Sequence, residues 1–130
     1  MIVVDASALI EVLLRTTVAA GIERRLFDGG VPLFAPEVLD LEVAQVLRRY
    51  CASGDVSALR GQEAIDDLVD LPIGRYGHLP LLPRIWSLRQ NMTAYDAAYV
   101  ALAEALNAPL VTRDRRLASA PGHAAVIEVH

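Results

Sequence analysis

Apolar positions along the chain follow two alternating rhythms: short unbroken runs, and longer stretches with helical spacing. "MIVVD" predicts a short buried strand ending in an acid, and "ASALIEVLL" continues with the period of a helix. "TTVAAGIERRLFDGG" predicts a second helix, closed by a glycine pair. "VPLFAPE" predicts a brief strand, and "PEVLDLEVAQVLRRYCASG" a long amphipathic helix ending at Gly54. Asp55 or Ser57 is suited to cap a further helix running to about Leu71. A third strand is expected at "PIGRYG", then a helix starting at one of the prolines of "LPLLPRIWSLRQ". "MTAYDAAYVALAEAL" predicts a strongly apolar helix, "APLVT" a strand, "DRRLAS" a helical turn and "HAAVIEV" a last strand.

Strands alternating with helices over short links predict an α/β protein. The expected architecture is a three-layer α/β/α sandwich with a mostly parallel sheet of about four to five strands. Residues 1–130 should form one domain, since no repeat, low-complexity tract or linker interrupts them. Right-handed crossovers would gather the carboxyl ends of the strands along one edge, where such folds place their sites.

Composition narrows the class. Hydrophobic residues make up 54% and charged residues 22%, which describes a globular chain and excludes a disordered one. Mean hydropathy is +0.35, but charges break every apolar run before it reaches bilayer length. The first ten residues carry no basic stretch and already include Asp5, so a cytoplasmic protein without a secretory leader is expected. The apolar excess also points to a surface shared with a second chain. A single cysteine, Cys51, excludes an internal disulfide and a cysteine-based zinc cluster, and reads as a core thiol. His78, His123 and His130 lack metal-ligand spacing and read as solvated residues. The net charge of −4 argues against broad electrostatic capture of nucleic acid, but leaves room for local phosphate contacts. All 12 Lys and Arg positions are arginine, so no lysine is present to serve as base, Schiff-base former or phosphate clamp.

Four acids stand out. Asp96 shares a helix face with Tyr99, Val100 and Ala103, residues that belong in a core. An ionised carboxylate there costs several kcal/mol without compensation, on the order of what burial of any lone charge costs. Two readings compete. Thr93 followed three positions later by Asp96 resembles a capping box, and an acid in the first turn suits the helix dipole. Asp96 is equally suited to an acidic site. Glu42 is harder to place as structural: Leu39 and Val46 flank it on the apolar stripe, and Arg49 is not positioned to satisfy it. Asp5 ends the first strand and Asp114 follows "PLVT", which puts both on the functional edge, although each also suits a helix N-cap. If the four meet, mutual repulsion raises their pKa values unless a cation intervenes. Oxygen-only donors favour a hard ion, Mg²⁺ or Mn²⁺, capable of activating water and neutralising a phosphodiester.

The chain resembles PIN-domain proteins, and more narrowly the VapC toxins of toxin–antitoxin pairs. The resemblance is carried by "MIVVDASALIEVLL", "PEVLDLEVAQVLRR", "TAYDAAYVALAEALNAPLVTRDRRLA" and the closing strand, nearly the whole chain. It implies that Asp5, Glu42, Asp96 and Asp114 are the family's acidic quartet. The implied activity is that of a Mg²⁺-dependent endoribonuclease, with Mn²⁺ able to substitute. A metal-activated water attacks phosphorus in line, leaving a 5′-phosphate and a 3′-hydroxyl. Asp5 and Asp96 are then the core metal ligands. Asp114 and Glu42 complete the site directly or through water, one of them orienting or deprotonating the nucleophile. Ser7 and Thr112 match positions whose hydroxyls support the carboxylates. Arg89, Arg113, Arg115 and Arg116 are candidates for phosphate contact or for plain surface charge. The implied partners are RNA, a VapB-like antitoxin and a second copy of the chain, in a homodimer or a toxin–antitoxin hetero-oligomer with no membrane involvement. Gly74–Arg84 contributes nothing to the assignment.

Rival chemistries lack parts. A receiver domain needs a lysine beside its phosphoacceptor, and a dehalogenase-type phosphatase wants Asp where Ser7 stands. Phosphate-binding loops and dinucleotide glycine fingerprints are absent. The surviving alternative is a catalytically silent PIN-like module that binds RNA or protein.

Overall fold

Every strand predicted from the sequence forms in the computed structural model, which describes residues 1–130. The first is β1 (Ile2–Val4), buried along its whole length. It leads into α1 (Ala6–Leu13), and α2 (Ala19–Phe27) follows. β2 (Leu33–Pro36) feeds α3 (Val38–Ser53), which stops at Gly54 in the left-handed conformation, φ 83°. Ser57, and not Asp55, caps α4 (Ala58–Asp70), its side chain accepting the amide of Arg60. β3 (Ile73–Tyr76), a 3-10 turn at Leu79–Leu81 and the short α5 (Leu82–Ser87) come next. α6 (Ala94–Leu106), β4 (Leu110–Thr112), α7 (Arg115–Ser119) and β5 (Ile127–Val129) complete the chain.

All five strands pair in parallel, in the order β3-β2-β1-β4-β5. β1 is therefore central, and the chain reverses its direction of winding between β1 and β4. In an open parallel sheet that reversal opens a crevice at the carboxyl ends of the two strands. α1 packs on α2, α3 and α4, while α5 packs on α6, which lies across β1, β2 and β4. Sheet and helices share one core of 31 buried residues, centred on Ile2–Val4, Leu9, Leu39, Val43 and the inner side of α6. No helix is long and apolar enough to cross a membrane.

The last strand is shorter than "HAAVIEV" suggests. Gly122 turns with φ 91°, the Ala124 amide donates to Glu104, and that of Ala125 donates to the His123 ring. Those amides are spent before the strand ladder begins. His123 is consequently not a solvated side chain, because its other ring nitrogen bonds the Leu117 carbonyl at 3.0 Å. Cys51 is half-buried and donates weakly to the Ser57 carbonyl.

Gly74 pairs with Phe34 across β2 and β3, and the Phe34 ring lies over the space a side chain would fill. A Cβ at Gly74 would sit 2.6 Å from Phe34 Cδ1, and the ring is further held edge-on against Tyr76. Gly74→Ala should therefore destabilise the protein by about 1–3 kcal/mol, the usual cost of overpacking. The measurement is the urea unfolding midpoint, which should fall at unchanged slope.

Candidate active site

Asp5 sits where β1 becomes α1, at the N-cap position, with φ −83° and ψ 149°. Its side chain makes no capping bond. Oδ2 instead accepts the hydroxyls of Ser7 at 2.6 Å and of Thr112, on the neighbouring strand, at 2.7 Å. Each hydroxyl has one proton and spends it on Asp5, so the 3.2 Å approach between Ser7 and Thr112 adds no bond of its own. The two oxygens accept in turn from the amides of Arg113 and Asp114, each at 3.0 Å. Main-chain donors at the end of β4 thus fix two hydroxyls, and the hydroxyls fix the carboxylate. Oδ1 is left clear of side-chain donors. Asp5 is 7% exposed, and burial pushes its carboxyl above the usual aspartate range. The bonds from Ser7, Thr112 and the Ala6 amide pull it back, and the charge of Asp114 adds to the rise.

Asp96 answers to both sequence readings. Thr93 caps α6 by accepting the Asp96 amide at 3.2 Å, so half of a capping box is present. The Asp96 carboxylate is half-buried and faces the other acids. Burial comes first in raising it, then the charges of Asp5 and Asp114; the Thr93 hydroxyl and Arg116 oppose the rise. Glu42, in the second turn of α3, is raised by burial and by the charges of Asp5 and Asp96. Its Oε1 accepts the hydroxyl of Tyr99 at 2.7 Å. That contact was not expected from the sequence, where Tyr99 counts as an apolar companion of Asp96. A signal was available: a tyrosine on a buried stripe brings a hydroxyl that needs a partner, as Glu42 did on its own stripe.

Asp114 departs from the expectation that all four carboxyls are raised. It caps α7 by accepting the Arg116 amide at 2.9 Å. Both its oxygens also take the Arg116 guanidinium, Oδ1 from Nε at 3.1 Å and Oδ2 from Nη2 at 3.0 Å. That fork holds its carboxyl below the usual range. The other arginines are placed differently. Arg113 lies 3.8 Å from Glu11 and donates to the His130 carbonyl at 2.6 Å. Arg89 stacks on Trp86, 4.7 Å from the ring centre, and Arg115 is exposed.

The structure brings Asp5, Glu42 and Asp96 from three elements into one crevice, with Asp114 at its rim. No three of these side chains close on a common point as the ligands of a finished metal cage do. The donor set nonetheless fits a hard cation: carboxylates alone, three of them raised, with an oxygen free of side-chain donors on Asp5 and on Glu42.

The PIN domain family model matches residues 2–122, and the five-stranded parallel sandwich with acids at the switch between β1 and β4 agrees with that class. Within that class the chain belongs to the VapC family. It is 45% identical to Ribonuclease VapC1 of Mycobacterium tuberculosis over 121 residues, 92% of this chain and 90% of the relative. It is 40% identical to Ribonuclease VapC12 of the same organism over 129 residues, 99% of this chain and 98% of that one. The fold matches the VapBC2 structure from Rickettsia felis, solved with a promoter DNA fragment, at a TM-score of 0.71 and 14% identity. That match covers 99% of this chain and 98% of the other.

The shifts fix a pH dependence. Asp5, Glu42 and Asp96 have folded-state values above their unfolded ones, so the folded protein binds more protons in between. Their contribution is full below about pH 4, the unfolded value, and is lost as pH rises through the folded values. Asp114 has the opposite sign, contributing at neutral pH and losing its contribution as pH falls through its lowered value. In EDTA the melting midpoint should therefore be higher in mild acid than at neutrality. Asp5→Asn should raise the neutral-pH midpoint by removing one repelling charge; differential scanning calorimetry across pH checks both.

Proposed function

We propose that this protein is a Mg²⁺-dependent endoribonuclease, the toxin of a type II toxin–antitoxin pair, with Mn²⁺ able to replace Mg²⁺. The observation that carries the reading is the convergence of Asp5, Glu42 and Asp96, all raised, at the crevice between β1 and β4. The ribonuclease names of the relatives, at 40–45% identity over nearly the whole chain, support the reaction class.

Asp5 and Asp96 would hold the ion, with Glu42 and Asp114 completing the site directly or through water. Such an ion supplies Lewis acidity, toward water and toward the oxygens of a phosphodiester. The chain's own groups do the rest. Ser7 and Thr112 keep Asp5 Oδ2 occupied, so the carboxylate presents Oδ1 in one orientation. Glu42, with its carboxyl raised by burial, is suited to take a proton from the attacking water. Arg115 and Arg116, exposed beside Asp114, suit the phosphates of a bound strand. Asp114 becomes available when Arg116 turns from it to phosphate.

The surface supports the partners expected for this reading. Leu41, Leu82 and Tyr95 border a cavity of about 400 Å³, and Leu79 and Trp86 stand exposed. So much uncovered apolar surface suits burial against protein. We expect a homodimer that also forms a hetero-oligomer with a VapB-like antitoxin, in the cytoplasm.

Asp96→Asn should abolish Mg²⁺- or Mn²⁺-dependent cleavage of RNA with the circular dichroism spectrum unchanged. Asn keeps the size, and the Thr93 cap uses the main-chain amide and not the carboxylate. Wild-type cleavage by the folded variant would remove Asp96 from the site. Mn²⁺ should raise the wild-type melting midpoint reversibly by EDTA, adding about 2.7 kcal/mol at a hundredfold excess over its dissociation constant. Induction of the wild-type chain should arrest growth, and co-expression of the small open reading frame beside its gene should restore it.

A further inference from the structure

Glu42 is a half-buried side chain on α3. What it meets is the hydroxyl of Tyr99, 2.7 Å from Oε1. Tyr99 itself has no freedom: it is 0% exposed, among the largest fully buried side chains, and sits within the shared core. Its ring is fixed in a helix that also carries Asp96 one turn earlier. A single rigid element therefore supplies one acid of the site and the clamp on another.

We propose that Tyr99 is a positioning residue for the site, acting through Glu42. The phenol has one proton and gives it to Oε1, which orients the carboxylate and leaves Oε2 as its free oxygen. The phenol of a tyrosine keeps its proton at neutral pH, so it remains a donor. The arrangement repeats, with a different donor, what Ser7 and Thr112 do for Asp5: one oxygen is tied and the other presented. The bond also joins α3 to α6, setting the spacing of Glu42 from Asp96 as no local sequence feature can. Any buried tyrosine hydroxyl needs a partner; here the partner is one of the acids of the site.

The proposal rests on the metal-dependent reading of the site, and its test separates the two. Tyr99→Phe keeps the ring and deletes the hydroxyl. Mn²⁺ affinity, measured by titration calorimetry, should weaken about tenfold or more, as is typical when a group that orients a ligand is removed. Single-turnover cleavage should slow to a similar degree while KM for RNA stays at its wild-type value. Glu42→Gln with Tyr99→Phe should bind Mn²⁺ no more weakly than Glu42→Gln alone, because the hydroxyl then has nothing to orient. A folded Tyr99→Phe protein with wild-type Mn²⁺ affinity and cleavage rate, and only a lower melting midpoint in EDTA, overturns the proposal. A wild-type protein that neither binds Mn²⁺ nor cleaves RNA overturns the functional reading and this inference with it. If Tyr99→Phe is destabilised, its Mn²⁺ affinity is read at a lower temperature where circular dichroism shows it folded, and wild-type binding there overturns the proposal.

Discussion

The Asp5 carboxylate is the constraint around which the rest is arranged. It stands at the end of the central strand with almost no exposure, in a place where an unsupported charge is unfavourable by several kcal/mol, on the order of any desolvated ion. The surroundings offset that cost with hydroxyls and amides instead of a basic side chain. A paired arginine would neutralise Asp5, as Arg116 does Asp114, and would occupy both of its oxygens. Two hydroxyls stabilise one oxygen and leave a net negative charge in the crevice. Stability and chemical availability are reconciled by the choice of donor.

Burial and that choice together explain the asymmetry among the acids. Asp5 and Glu42 each have one oxygen bound by neutral O–H groups, and both carboxyls are raised. Asp114, bound by guanidinium at the rim, is lowered. The crevice is thus graded, from acids that are strained by their own charge to one at the rim that is at ease. Such a gradient favours a cation in the interior, where its charge relieves the most repulsion.

Most of the framework was legible along the chain. The strands are short apolar runs bounded by Gly, Pro or acids, and α3 and α6 carry unmistakable helical periodicity. Asp96 and Glu42 were legible by contradiction, as charges on faces that were otherwise apolar. What could not be read were pairings between distant elements. The Tyr99–Glu42 bond spans 57 positions, and nothing local to either residue selects the other. The fork between Asp114 and Arg116 was hidden for the opposite reason: an arginine near an acid in an exposed turn is ordinary, and only the bidentate geometry makes it matter. The shortened last strand escaped because its amides are drawn off by Glu104 and His123, a competition that composition does not reveal.

Placing β1 beside β4 has a further consequence for when the crevice comes into being. Asp5 depends on Thr112, which lies 107 positions later, in a strand that follows all the others but one. A growing polypeptide that has not yet extruded β4 has its first acid and no partner for it. At synthesis rates of about 5–20 residues per second, several seconds separate translation of the two. Long-range parallel pairing then adds its own slow step. The crevice is therefore assembled only after β4 has emerged, an interval of seconds behind β1.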